Sequence, residues 1–282
     1  MPEKIITIYC FFDELLKAID HKDDPQVHLS TAEIMTIAIV AAEFFTGNQQ
    51  AALYFLTSHR YISPFSKSRF NRRLHRIPET LWQFILYVLA QIHQETGSHT
   101  SSHTSSHTHS QTKIIDTFPV PVCRNIRIRR CHIYRDEAFR GYNASKKEYF
   151  YGLKVCLIVT EVGQPIELVL VPGSYSDMTA LRCMDLNLPE QTTIYADGGF
   201  LDLRFEHALE EEAGIHLVAP RRKNMKQQLD GCLQYVCRCV RKRVETTFSQ
   251  LCERFARSIH AVTPRGFELK VFLTVLAYSI VG

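Results

Sequence analysis

Three acidic residues, Asp116, Asp197 and Glu245, stand where the patterning of the chain would let carboxylates meet. The second closes the phrase Thr192-Thr193-Ile194-Tyr195-Ala196-Asp197-Gly198-Gly199-Phe200, a short β-branched and apolar run ended by one acid and two glycines. Such a run reads as a buried strand that stops abruptly, and strand ends are where open α/β sheets place their chemistry. Taken alone, Asp197 reads equally well as a turn residue, because Asp-Gly is a common turn signal. Asp116 closes a second such run, Lys113-Ile114-Ile115-Asp116-Thr117-Phe118, ahead of Pro119 and Pro121. Glu245 borders a helical stripe of Val240, Val244, Phe248, Leu251 and Phe255, whose spacings of four, four, three and four make one helix face.

Carboxylates that converge without matching side-chain cations repel one another unless hard metal ions neutralise them. Oxygen ligands select Mg²⁺ or Mn²⁺. Two such ions about 3.5–4 Å apart suit in-line displacement at a phosphodiester. Basic residues cluster at 69–76, 124–130, 221–226 and 238–243, the footprint expected of a phosphate backbone partner. Arg238, Arg241, Lys242 and Arg243 flank Glu245 and would hold DNA rather than do chemistry. Among competing acids, Asp177 reads as the first acid of a helix and Asp202 as a helix cap. Glu253 lies too far along its helix to replace Glu245. His132 and His260 read as structural, or at most as phosphate contacts.

The elements needed to carry these acids follow from periodicity. Residues 1–96 are predicted to be helical, with Ser30 and Glu33 forming a capping box. The basic stretch 66–77, carrying Lys67, Arg69, Arg72, Arg73 and Arg76 around Phe70 and Leu74, resembles the recognition helix of a helix-turn-helix module. Residues 97–112 hold a four-residue repeat of His, Ser and Thr with no apolar residue to bury in its core, predicting a linker. From 113 onward the predicted order is strand, hairpin, helix, strand, helix, strand, helix. That order gives an α/β domain with a five-stranded mixed sheet, helices on both faces, and the first and fourth strands adjacent and parallel.

Composition sets limits on the alternatives. The 282 residues are 45% hydrophobic and 22% charged with a net charge of +4, values of an ordinary globular protein. The nine cysteines lack a paired framework or the spacing of a zinc site. Glu3, Asp13 and Glu14 interrupt the first apolar run, unlike a secretory signal. Reduced thiols and a cytoplasmic location, on the nucleoid when bound to DNA, are therefore expected. The apolar run near the C-terminus is too short to span a membrane.

The phrases Ile114-Ile115-Asp116-Thr117-Phe118-Pro119-Val120-Pro121, Tyr195-Ala196-Asp197-Gly198-Gly199-Phe200 and Arg243-Val244-Glu245-Thr246-Thr247-Phe248-Ser249-Gln250-Leu251, in this order, resemble the DDE transposases of bacterial insertion sequences. Tyr151-Gly152-Leu153-Lys154 and Pro220-Arg221-Arg222-Lys223-Asn224 add to the likeness. The resemblance implies an RNase H-like catalytic domain over 113–282, preceded by a DNA-binding domain over 1–96. It implies Asp116, Asp197 and Glu245 as ligands of two Mg²⁺ or Mn²⁺ ions, and cleavage and strand transfer at element ends by a synaptic homodimer. It also implies DNA contacts from the basic helix and from Arg221, Arg222, Lys223, Arg238, Arg241, Lys242 and Arg243. One departure stands out. Many of these enzymes carry Tyr, Arg and Lys at seven before, four before and seven after the catalytic Glu, where this chain has Arg238, Arg241 and Cys252. No large domain is inserted between Asp197 and Glu245. The alternatives are a nuclease of the same fold that cuts without joining, and a DNA-binding remnant of a decayed element.

Overall fold

The computed structural model describes residues 1–99, 112–143, 147–255 and 259–281, with side chains except at 94–99, 125, 240–245 and 247. Helices α1 (Pro2–Ala18), α2 (Thr31–Phe44), α3 (Gln49–Ser58), α4 (Lys67–Leu74) and α5 (Glu79–His99) come first. Strands β1 (Thr112–Arg124), β2 (Arg140–Asn143), β3 (Glu148–Thr160) and β4 (Pro165–Pro172) follow. The chain continues through α6 (Asp177–Leu181), β5 (Thr193–Tyr195), α7 (Leu203–Ala213), β6 (His216–Val218), α8 (Gly231–Arg254) and α9 (Pro264–Val281). Two compact units result, one of Met1–Leu86 with Leu251–Gly282 and one of Tyr87–Gln250.

The helical unit is built around α2. Its capping box forms as expected: Glu33 N–H donates to Ser30 Oγ at 3.1 Å, and Ser30 N–H donates to Glu33 Oε2 at 2.6 Å. Buried residues occur on every side of α2, as on a helix enclosed by neighbours rather than lying at a surface. Those neighbours are α1, α3, α4 and α9. The position of α9 corrects the expectation that 113–282 forms one domain. Like α2, α9 buries residues all round, from Phe267 through Ser279. Two such helices stabilise each other by removing one another's surface from water, and this draws the C-terminal helix to the N-terminal ones. Thr263 caps α9, its Oγ1 accepting from Gly266 N–H at 3.1 Å.

The second unit is a mixed sheet in the order β2-β3-β1-β5-β6, with β4 also paired to β3. Antiparallel pairs join β1, β2 and β4 to β3, while β5 runs parallel to both β1 and β6. The sheet has six described strands rather than five. The addition, β2, lies in the basic segment 124–147, where Arg and Lys obscure the strand pattern. Its Gly141 packs against Phe150 and the Gly173 carbonyl, where a Cβ would come within 2.5 Å of each. Helix α5 extends through His99, so the first residues of the expected linker are helical; residues 100–111 lie outside the described ones.

Side chains alternate between the faces of a strand, which sorts the core. Ile115, Cys156, Ile158 and Ile194 join Ala180, Leu181, Met184 and Phe200, with Phe205, Leu209 and Ala213 of α7 packed beside them. This is the face that α6 and α7 cover. On the opposite face Phe118 meets Phe248 of α8 edge-on, with ring centroids 5.6 Å apart.

Candidate active site

Asp116 does not end its strand. β1 continues to Arg124, paired with β3 throughout apart from a bulge between Pro121 and Cys123. Pro119 and Pro121 do not break it, because they fall on the positions whose backbone nitrogens point away from β3. Thr117, in the same phase, donates its N–H at 2.7 Å to Asp116 Oδ1 rather than to β3. A proline at such a position forfeits no ladder bond. What stops near Asp116 is the pairing with β5, which covers only Thr112↔Thr193, Lys113↔Ile194 and Ile114↔Tyr195.

Asp116 and Asp197 each lie two residues beyond the last pair of that register, Asp116 still within β1 and Asp197 past the end of β5. Alternation puts Asp116 on the same face as Phe118, hence on the α8 side. Tyr195 marks that side on β5: burial and then the Cys237 thiol of α8 push its hydroxyl above the ordinary range. Asp197 is also a turn residue. It starts a 3-10 turn over Gly198–Phe200, and its Oδ1 accepts from Gly198 N–H at 2.6 Å. Glu245 lies within α8, three residues and about one turn before Phe248; its side chain is outside the described ones.

The other acids divide as their local sequences suggest. Asp202 caps α7, accepting from Arg204 and Phe205 N–H groups. Asp177 opens α6, and its Oδ1 accepts from Lys154 Nζ at 3.0 Å and Thr117 Oγ1 at 2.7 Å. Burial, followed by the nearby Asp177 and Asp116 carboxylates, pushes the Cys156 thiol well above the ordinary thiol range. Nothing in the local pattern marked Lys154 and Thr117 as partners of Asp177, since these contacts span 23 and 60 residues of chain. Gly198 faces open space, whereas a Cβ at Gly199 would overlap the Asp177 carboxylate. Room beside Asp197 explains only the first glycine.

An all-oxygen set of Asp116, Asp197 and Glu245 fits a hard divalent cation better than zinc. Among the described residues no three His, Cys, Asp or Glu side chains form a metal cluster, and the expected third ligand falls outside them.

The basic residues separate into two kinds. Lys67, Arg69, Arg72 and Arg76 are exposed on or just after α4, which is anchored by fully buried Phe70 and Leu74. Arg73 is not: it donates to Asp23 Oδ1 at 3.1 Å, with Thr31 completing the cluster. Burial works against ionisation of Asp23, but the Thr31 hydroxyl and amide and then Arg73 outweigh it and hold the carboxyl below its usual value. Arg222, Lys223 and Arg238 are exposed. Arg221 instead makes two 2.6 Å bonds to the Glu206 carboxylate, with only 12% and 11% of the two side chains exposed. Arg221, expected from the sequence to contact DNA, is thus engaged within the fold by Glu206. The side chains of Arg241, Lys242 and Arg243 lie outside the described ones.

Among the described residues no helix is long and apolar enough to cross a membrane. No curated protein matches the chain. The family model described as "Transposase DDE domain" matches residues 106–260, more than half of the chain. The matched stretch holds all six strands of the sheet together with α8, and ends before α9. The chain therefore belongs to the DDE transposases.

Proposed function

We propose that this transposase cuts DNA at the ends of a bacterial insertion sequence and joins the freed 3′-hydroxyl to a target strand. Asp116, Asp197 and Glu245 would hold the two Mg²⁺ or Mn²⁺ ions, Glu245 from α8. One observation supports this above the rest: β1 and β5 pair in parallel up to Ile114↔Tyr195, two residues before Asp116 and Asp197, and Phe118 of β1 packs against Phe248 of α8. When bound, the ions supply a polarised nucleophile and charge stabilisation at the scissile phosphate. The protein's own part is orientation. Thr117 and Gly198 amides donate to one oxygen of each aspartate and fix its rotation. Gly198 faces open space beside Asp197, so no side chain is added there.

In this reading Lys67, Arg69, Arg72 and Arg76 of the helical unit contact the phosphates of the element ends, while Arg222, Lys223 and Arg238 contact the backbone nearer the cut. Two ends must be held together, so at least two copies act at once, in the bacterial cytoplasm and on the nucleoid. The test is Asp197→Asn on end-containing DNA in Mg²⁺. End binding should stay at the wild-type level and cleavage should fall by several orders of magnitude; cleavage near the wild-type rate would sink the assignment. Precut ends separate joining from cutting, since hydrolysis with no strand-transfer product would mark a nuclease instead.

A further inference from the structure

We propose that Asp177 is a positioning residue that holds both metal-binding aspartates in place from the opposite face of the sheet; this rests on the reading of Asp116 and Asp197 given above. Side chains of adjacent strand residues point to opposite faces, so Thr117 faces α6 while Asp116 faces α8. The Asp177 carboxylate meets Thr117 directly, Thr117 Oγ1 donating to Asp177 Oδ1 at 2.7 Å. The same threonine's amide donates to Asp116 Oδ1 at 2.7 Å. One residue thus links the two carboxylates, through its hydroxyl on one side and its backbone on the other.

The second aspartate is reached through the glycines. The Asp177 carboxylate occupies the space where a Gly199 side chain would be, two residues after Asp197. It therefore forms the floor under the turn that Asp197 begins. Lys154 keeps this floor in place. Its ammonium donates to Asp177 Oδ1 at 3.0 Å and to the Tyr175 carbonyl at 2.7 Å, tying the acid and the segment before α6 to β3. With Lys154 neutralising its charge and the sheet between it and Asp116, Asp177 is placed to support ligands and not to be one. Groups that hold the ligands of a metal typically change its affinity by about 10–100-fold when removed. Lys154 of the Tyr-Gly-Leu-Lys phrase and the second glycine after Asp197 gain a shared purpose.

The experiment measures Mn²⁺ binding to the full-length protein, from the free-ion electron paramagnetic resonance signal, alongside DNA cleavage across Mn²⁺ concentrations and thermal unfolding. Asp177→Ala should bind Mn²⁺ about tenfold more weakly. Thr117→Val, which keeps the side-chain shape and loses only the hydroxyl, should shift binding in the same direction by a few-fold. In both, cleavage should recover at high Mn²⁺, whereas in Asp197→Asn it should not. Wild-type Mn²⁺ affinity in Thr117→Val, or in a folded Asp177→Ala, overturns the proposal while Asp197→Asn still loses the ion. If Asp197→Asn itself binds Mn²⁺ like the wild type, the metal-site reading fails first, and the two failures are told apart.

Discussion

Arg221→Ala removes one half of an ion pair that the fold has nearly enclosed. The Arg221 guanidinium meets Glu206 through two bonds of 2.6 Å, and about a tenth of each side chain is exposed. Deleting the arginine leaves the Glu206 carboxylate of α7 in a site closed to most water. Breaking a fully buried pair costs about 3–5 kcal/mol, and the residual exposure here puts the expected loss at the lower end, about 3 kcal/mol. For a domain of this size that corresponds to a fall in Tm of about 6–12 °C. Replacing both partners, as in Arg221→Met with Glu206→Leu, removes the stranded charge and should restore most of the loss. The two single variants, the double variant and the wild type form a cycle measurable by urea unfolding, with a coupling of about 2 kcal/mol expected. DNA affinity, measured on folded protein at several salt concentrations, should keep its wild-type salt slope. The reasoning fails if Arg221→Ala unfolds like the wild type and instead flattens that slope by about one unit, as loss of a phosphate contact would.

The basic helix α4 gives a matched contrast. Arg72→Ala with Arg76→Ala should weaken binding of element ends and lower the salt slope by about two units, while Arg73→Ala should reduce stability and leave the slope alone. Unchanged affinity and slope in the first variant would remove the helix-turn-helix reading. The Asp23 cluster predicts a pH dependence. Its carboxyl is held below its unfolded value, so its contribution is full above about pH 4 and is lost as pH falls through the lower folded value. Asp23→Asn should therefore cost about 1–2 kcal/mol at neutral pH, and the gap to wild type should close in acid; a gap that is constant down to pH 2 would contradict this.

Much of the fold was legible because its signals are local. The Ser30 and Glu33 capping box, the hairpin at 161–164 and the Asp202 cap all follow from periodicity and turn residues within short stretches. Asp116 and Asp197 could be singled out because each closes an apolar β-branched run, and the order of elements made those runs neighbours. Strand register is different in kind. That Asp116 lies within a longer strand, past two prolines, depends on where β5 stops pairing, which is a property of two strands 80 residues apart.

Chain-distant contacts decided the rest. A sequence shows that Arg73 and Arg221 are basic, but not that Asp23 and Glu206 already satisfy them, because an arginine on a solvated face and one in an enclosed pair have the same local pattern. It shows that α9 is apolar, but not that α2 presents the surface that covers it. For the phrase around Asp197, the sequence by itself determined a strand, an acid and a tight turn. The tertiary structure decided where the pairing of β1 with β5 stops, and placed Asp177 against the second glycine. Side-chain direction on a strand is set every second residue by the backbone, while the identity of what waits on each face is set by packing alone.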